Sequence, residues 1–369
     1  MINDSQPTSP IIDDVVDDSG DEEIVPLEKY AISSFGIDFD VEGLVRRLRK
    51  DDIFVPSFQR NYVWKISEAS QFIESLLLGL PVPGVFLARE GETQRMLIID
   101  GQQRLKTLQF YYDGYFRPNP IETKRRVFHL VDVQSTYLNK TYNDLSEEDQ
   151  RRLDNAVIHS TIIKQESPDE EEDTSLFYIF GRLNSGGRKL NAQEIRSALY
   201  HGPFIDLIEQ TLNKLDEWRK LFGAESERLK DHELIIRFLT LYFDHQSYQR
   251  PMENFLNKFC ARHQNANKEF LDKCIYIFEN TIRVAYDILG LKAFRPIRSI
   301  NAAAFDSIMV GLAKRLEKGP IHDNDSLRSA HSILATNEQF VLATSRSTAD
   351  ETNVNTRIKL AIDAFSNSQ

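Results

Sequence analysis

Cysteine is scarce in this sequence, which excludes a fold held together by disulfide bonds. Only Cys260 and Cys274 occur among the 369 residues, and they do not have the spacing of a paired metal site. Apolar runs are also short, since none approaches the roughly 18 residues that a membrane span needs. The N-terminus lacks the basic region and apolar stretch of a secretory signal. We therefore expect a cytoplasmic protein that has no membrane partner.

Lysine and arginine are absent from the first 23 residues, which carry eight carboxylates. The other 48 acidic residues nearly balance the 45 basic ones, so the net charge of −11 comes mostly from this segment. The near-neutral remainder can still present a local basic face to phosphates. Because the segment has little apolar surface to bury, we expect residues 1–24 to be a disordered acidic tail.

The hydrophobic patterns divide the rest of the chain into two domains, as its length also favours. Short apolar runs of strand length alternate with helices over residues 25–173, which predicts a small mixed sheet. Helical periodicity fills residues 174–369 and predicts an irregular helical bundle. The expected fold class is therefore α+β, with predicted strands at residues 85–88, 96–99, 127–133 and 157–163.

No GxxxxGK[ST] motif occurs, and no GxGxxG follows a strand, so a phosphate site would be of another type. One candidate begins where a strand ends at Asp100 and Gly101 permits a tight turn. A helix then starts at Gln102 or Gln103, and its first N–H groups attract anions. Arg104, in the first turn, has the fork that grips phosphate. The alternative is structural, with Asp100 capping the helix and Arg104 in a salt bridge.

The segment FQRNYVW is a second candidate. Gln59 and Arg60 add an amide and a guanidinium to an irregular loop around Pro56, of the kind that carries function. Tyr62 and Trp64 offer flat faces on which a base would stack, or they anchor the next helix to the core. For Trp64 we favour the anchoring role.

A glycine-containing loop between two predicted helices is the third candidate. Such a loop can wrap a phosphate or a base, although glycine pairs also simply end helices. Two basic residues follow it, and Asn191 with Glu194 predicts the start of the next helix. The loop residues are Asn184, Ser185, Gly186 and Gly187.

Four segments in series resemble the N-terminal domain family of GmrSD-type (type IV) restriction systems. They are VPSFQRNYVW, IIDGQQRLKTL, FGRLNSGGRKLNAQEIRSALYHG and DHELIIRFL, and the resemblance runs from about residue 35 to the end of the chain. It implies a core similar to ParB and sulfiredoxin, followed by a helical bundle. It also implies binding and hydrolysis of nucleoside triphosphates in defence against phage with modified DNA.

Carried over to this chain, the resemblance implies a nucleotide and phosphate site around the DGQQR element. Asp100 would hold Mg²⁺ or orient the attacking water, Gln103 would orient that water, and Arg104 would neutralise charge. The surrounding phosphate-binding residues would be Gln59, Arg60, Gly101, Gln102, Asn184, Ser185, Gly186 and Gly187.

The sequence departs from full-length relatives that add a nuclease domain, because none of its eight histidines is followed three residues later by proline. The leading hypothesis is a nucleotide-binding, NTP-hydrolysing module that takes GTP or another triphosphate with Mg²⁺. Expected partners are the nucleotide, DNA, and a separate nuclease or modification-system protein, with self-association left open. The alternatives are a ParB-like sensing module that binds nucleotide without turnover, and a nuclease that acts through the core itself.

Overall fold

The computed structural model describes residues 15–16, 32–55, 62–89, 95–116, 126–165, 175–183 and 190–366. The chain divides into two compact units. The sheet unit comprises residues 29–190, and the helical unit comprises residues 1–28 with residues 191–369. The predicted α+β class, a sheet core followed by helices, is confirmed.

A five-stranded mixed sheet forms the centre of the sheet unit. Its strands are β2 (Ile32–Asp40), β3 (Ile53–Phe54), β4 (Val85–Arg89), β5 (Met96–Asp100) and β8 (Val157–Gln165). They lie in the order β2-β8-β4-β5-β3. The β2–β8 and β4–β5 pairs are antiparallel, whereas β8–β4 and β5–β3 are parallel. Three of the predicted strands are present as β4, β5 and β8.

Helices of the sheet unit bury apolar residues against this sheet. They are α1 (Val41–Arg49), α2 (Ile66–Leu77), α3 (Gln102–Asp113), α4 (Glu147–Asp154) and α5 (Ser175–Leu183). Leu44, Ile73 and Leu108, from α1, α2 and α3, share one core with strand residues such as Ile98 and Ile162. The helix α5 contacts β5.

The predicted strand at residues 127–133 is wrong. Only β7 (Arg126–Val127) is extended there, and it pairs with β6 (Tyr115–Phe116). Beyond it the backbone finds other partners, because Val131 N donates to the Ser70 hydroxyl at 3.0 Å and Asn139 N donates to the Leu130 carbonyl oxygen. An apolar run of strand length therefore serves here as an irregular connection packed on α2.

Ten helices are described in the helical unit. They are α6 (Ala192–Leu199), α7 (Pro203–Gln210), α8 (Asp216–Phe222), α9 (Lys230–Asp244), α10 (Met252–His263), α11 (Lys268–Val284), α12 (Ala302–Leu316), α13 (Asn324–Thr336), α14 (Glu338–Ser345) and α15 (Glu351–Ser366). The helix α12 is buried almost along its whole length and packs against α9, α11 and α15. A Cβ on Gly311 would lie 2.8 Å from the Ala361 backbone. Glycine therefore lets α12 and α15 approach closely.

The helical unit also contains a short parallel strand pair. β1 (Val15–Val16) lies beside β9 (Ile300–Asn301), with Val15 opposite Ile300. Val15 and Val16 belong to the segment predicted to be disordered, and the rest of that prediction falls outside the described residues. Within the described ranges, no helix is both long enough and apolar enough to cross a bilayer.

Candidate functional site

The junction between β5 and α3 has the strand, turn and helix order that the sequence predicts. Asp100 ends β5, Gly101 makes the turn, and α3 begins at Gln102. Gly101 has φ of 99°, a left-handed conformation that side chains disfavour. A Cβ at this position would also lie 2.4 Å from Val85 Cγ1 on β4. Glycine is therefore required here both by the turn and by the packing of the turn against the sheet.

The N-terminus of α3 begins on this glycine, which offers no side chain to cap it. The first helical hydrogen bond runs from Leu105 N to the Gly101 carbonyl oxygen at 3.0 Å. The N–H groups of the first turn and the positive end of the helix dipole lie beside the end of β5. The junction thus has the polarity of an anion site.

Arg104 reaches back over the turn to Asp100. Its Nη2 lies 2.8 Å from Asp100 Oδ2, and the two side chains are 15% and 31% exposed. The guanidinium is paired with an acid, as the structural alternative expects, yet neither side chain is sealed inside. Arg104 Nε is buried and has no hydrogen-bond partner among the described residues. The Arg104–Asp100 ion pair therefore lies at the carboxyl end of β5 and stays partly exposed to solvent.

Gln103 ties a different part of the chain to α3. Its Oε1 accepts hydrogen bonds from Val63 N at 2.9 Å and from Trp64 N at 3.3 Å. These two residues end the FQRNYVW segment, so the Gln103 side chain holds the backbone just before α2 against α3. Only the amide nitrogen of Gln103 remains to donate to a ligand or a water, because its oxygen already serves the backbone.

Tyr62 is held inside the core and does not offer a face for stacking. It is 5% exposed, and its ring meets Phe110 and Phe116 edge to face. Its hydroxyl donates to Thr107 Oγ1 at 2.6 Å, since Thr107 itself donates to the Gln103 carbonyl oxygen. Burial raises the pKa of the Tyr62 hydroxyl. Of the two roles left open for Tyr62, the structure supports anchoring, because the ring is buried against Phe110 and Phe116.

Trp64 has the anchoring role that the sequence favours. Its ring lies edge to face on Phe72 of α2, with 5.7 Å between ring centroids. The aromatic residues of FQRNYVW that the structure describes therefore fasten the segment to α2 and α3.

Lys106 is a cation near the junction that the sequence interpretation missed. It lies one turn into α3, is half-buried, and burial lowers the pKa of its ammonium group. No carboxylate in the described part of the chain pairs with it. A partly desolvated lysine without an acid favours an anionic neighbour. The sequence signal that could have identified it is the lysine two residues after Arg104 in DGQQRLK.

A metal at the junction would depend on Asp100. Among the described residues, no group of three or more His, Cys, Asp or Glu could hold a metal ion. Mg²⁺ is often bound through one carboxylate, substrate phosphates and water. Asp100 Oδ1 would be the carboxylate ligand in such a site. The residues therefore fit a metal that arrives with a nucleotide and do not form a complete protein cage.

Six predicted site residues lie outside the described residues. They are Gln59, Arg60, Asn184, Ser185, Gly186 and Gly187. Downstream of the glycine loop, the predicted helix start is present: Asn191 Oδ1 accepts from Glu194 N at 2.8 Å, and Glu194 accepts in return from Asn191 N. Glu194 also pairs with Arg228 at 3.2 Å. The FGRLNSGGRKLNAQEIRSA segment thus leads into a helix whose N-terminal acid is already paired.

Comparison with protein families gives a match to the GmrSD restriction endonuclease, N-terminal domain, over residues 41–201. The matched range contains the β5–α3 junction and ends just after α6. The resemblance predicted from sequence is confirmed over this range, whereas DHELIIRFL lies beyond it. No curated protein matches the chain.

Proposed function

Because residues 41–201 match the family of the GmrSD restriction endonuclease N-terminal domain, we propose that the chain binds and hydrolyses a nucleoside triphosphate. The match supports a role for this part of the chain as a module of a type IV restriction system. The finer proposal is that GTP or another triphosphate binds at the β5–α3 junction with Mg²⁺. DNA and a separate nuclease or modification-system protein are its proposed partners.

One observation carries the proposal: the Arg104 guanidinium stands at the uncapped N-terminus of α3, beside the end of a buried strand. Helix N-termini after glycine turns bind phosphates because their N–H groups and dipole both favour negative charge. Arg104 adds a formal charge, and Lys106 adds a second cation on the same helix. Charge stabilisation and positioning account for most of the catalysis of phosphoryl transfer.

Phosphate binding would rearrange the Arg104–Asp100 pair. An incoming phosphate competes with Asp100 for the guanidinium and offers it a bidentate acceptor. Asp100 is then released to hold Mg²⁺ or the attacking water. When bound with the nucleotide, Mg²⁺ supplies further charge neutralisation on the phosphates. The Gln103 amide nitrogen would donate to the water or to a phosphate oxygen, while its carbonyl keeps residues 63 and 64 in place.

A sensing module that binds nucleotide without turnover is the second candidate. It is favoured by the chemistry of the described residues: the Gln103 oxygen is engaged by backbone and Asp100 is neutralised by Arg104, so no free base among them faces the junction. Direct nuclease action is less favoured, because two-metal hydrolysis generally uses several carboxylates and Asp100 is the one that the described junction offers.

Release of inorganic phosphate separates these candidates. The full chain is incubated with each of the four common triphosphates and Mg²⁺, beside Arg104→Ala and the control Arg49→Ala, whose arginine pairs with Asp113 elsewhere in the sheet unit. Turnover by wild type and Arg49→Ala, with at least about a hundredfold loss in Arg104→Ala, supports hydrolysis at this site. Nucleotide binding without phosphate release supports the sensing module, and turnover unaffected by Arg104→Ala excludes the site.

A further inference from the structure

The strand β2 forms one edge of the five-stranded sheet and, among the described strands, pairs with β8 alone. It has nine residues, whereas strands in globular proteins usually have about five or six. Its outer edge therefore presents a long row of N–H and C=O groups that no described strand satisfies. A row of this kind pairs readily with a strand of another chain.

The opposite edge of the sheet is protected in ways that proteins commonly use. The strand there, β3, has only two residues, and a short edge strand offers little backbone for pairing. The Arg95 guanidinium also lies 4.3 Å from the centroid of the Phe54 ring, so a cation covers this edge. The strand β2 has neither protection, because it is long and carries no lysine or arginine.

Both acids of β2 are already engaged by groups of their own unit. Asp38 Oδ1 lies 2.8 Å from His159 Nδ1 on β8, and Asp40 accepts from Gly43 N as the cap of α1. A basic peptide at this edge would have to displace those partners. The other seven residues of β2 are uncharged, so the strand favours a partner strand that is itself mostly uncharged.

We propose that β2 pairs antiparallel with β2 of a second copy of the chain, which joins two five-stranded sheets into one. A dimer with a two-fold axis requires a self-complementary surface. Full overlap of the nine residues centres the pairing on Gly36, where the two backbones meet at the axis. The inference concerns an edge of the sheet and does not depend on the nucleotide site at the β5–α3 junction.

This register places compatible residues opposite each other. Phe35, whose side chain is 39% exposed, lies opposite the partner's Ile37, and the two-fold axis repeats this apolar pair. Asp38 lies opposite the partner's Ser34, and Asp40 lies opposite an uncharged residue as well, so no acid faces an acid. Apolar cross-strand pairs stabilise a sheet, whereas like charges directly opposite each other destabilise it. The sequence of β2 therefore complements its own copy.

The oligomeric state of the full chain, measured by sedimentation over a series of concentrations, tests the proposal. Ser34 is exposed, and the register places it opposite the partner's Asp38. Ser34→Lys should tighten dimerisation by about fivefold and Ser34→Glu should weaken it by about fivefold, because the axis creates each charge pair twice. The matched controls Ser135→Lys and Ser135→Glu make the same charge changes at an exposed position outside the sheet. They should change dimerisation by less than about twofold, since salt screens distant charges.

Two further measurements report the strand pair itself. Phe35→Lys should weaken dimerisation by at least about tenfold, because it removes both apolar pairs and brings two cations together across the axis. Amide hydrogen exchange in β2 should slow as the concentration of wild-type protein rises, because its outward N–H groups gain acceptors. A wild type that stays monomeric throughout the series would overturn the proposal. So would a dimer that responds equally to the Ser34 and Ser135 variants, or β2 exchange that is independent of concentration.

Discussion

The Arg104 guanidinium lies 2.8 Å from the Asp100 carboxylate, on the two sides of the glycine turn that joins β5 to α3. Under the proposed function this ion pair is the resting state of a phosphate site, because the acid occupies the position that a phosphate would take. Replacing Asp100 therefore separates two proposed roles of its carboxylate, which are to compete with phosphate for Arg104 and to hold Mg²⁺.

Asp100→Asn should tighten the binding of free triphosphate in the absence of Mg²⁺ by about fivefold, since it removes a competing charge worth about 1 kcal/mol at a partly exposed site. The same substitution should reduce Mg²⁺-dependent phosphate release, because the carboxylate that would hold the metal is lost. Calorimetric titration with and without Mg²⁺ measures the first effect. Asp113→Asn, which frees Arg49 instead, is the matched control. An unchanged affinity in Asp100→Asn would show that the pair does not compete with phosphate.

Gly101→Ala should destabilise the sheet unit by about 2–4 kcal/mol. The left-handed φ of 99° costs about 1–2 kcal/mol for alanine, and the overlap with Val85 adds about 1–2 kcal/mol. Gly114, at the other end of α3, also has positive φ but open space around its Cβ position. Gly114→Ala should therefore cost only about 1 kcal/mol. Urea unfolding of both variants measures the difference, and equal losses would contradict the packing argument.

Gln103 should act through its carbonyl oxygen. Gln103→Leu removes the acceptor for Val63 N and Trp64 N, so hydrogen exchange at these two amides should accelerate by about tenfold, the effect of losing about 1.4 kcal/mol of local stability. Gln103→Glu keeps a carboxylate acceptor and should preserve their protection. Gln109→Leu on the same helix serves as the control. Fast exchange in both the Leu and Glu variants would mean that the hydrogen bonds to Gln103 do not protect the amides of Val63 and Trp64.

Asp306 should be the most sensitive single position in the helical unit. It is fully buried and bridges two buried guanidinium groups, with Arg237 Nη2 at 2.9 Å and Arg357 Nε at 3.2 Å. Asp306→Asn removes the carboxylate that contacts both buried guanidinium groups and should cost about 3–5 kcal/mol. Glu279→Gln, which breaks the exposed pair with Arg283, should change stability by less than about 0.5 kcal/mol. Denaturant midpoints compare the two, and similar small losses would refute the bridging role.

Local patterns in the sequence predicted the strand, turn and helix at residues 96–113, because alternation, a glycine and a helical stripe all act over a few residues. Two elements carried equally local signals that the sequence interpretation did not use. Phe35, Ile37 and Phe39 alternate with polar residues or glycine in β2. In α1, Asp40 caps a helix with buried residues at three- and four-residue spacing. Both elements could have been predicted.

The contacts that define the site could not be predicted in this way, because they join segments far apart in the chain. Tyr62 and Thr107 meet across 45 residues, and Gln103 receives backbone donors 39 and 40 residues away. Asp306, likewise, joins α9 and α15 across 69 and 51 residues. A residue pattern specifies which side chains are polar, but tertiary packing determines which of them remain available to a ligand.

Equilibrium binding of a Mg²⁺-bound triphosphate to the full chain tests the central claim most directly, with Arg104→Ala, Arg104→Lys and Arg49→Ala measured in parallel by calorimetry. We predict that Arg104→Ala weakens binding by about a hundredfold, the effect of losing a charged bidentate contact worth about 3 kcal/mol. Arg104→Lys should recover only part of it, and Arg49→Ala should match wild type. Equal affinities of Arg104→Ala and wild type, or no binding of any triphosphate by wild type, would contradict a phosphate site at the β5–α3 junction.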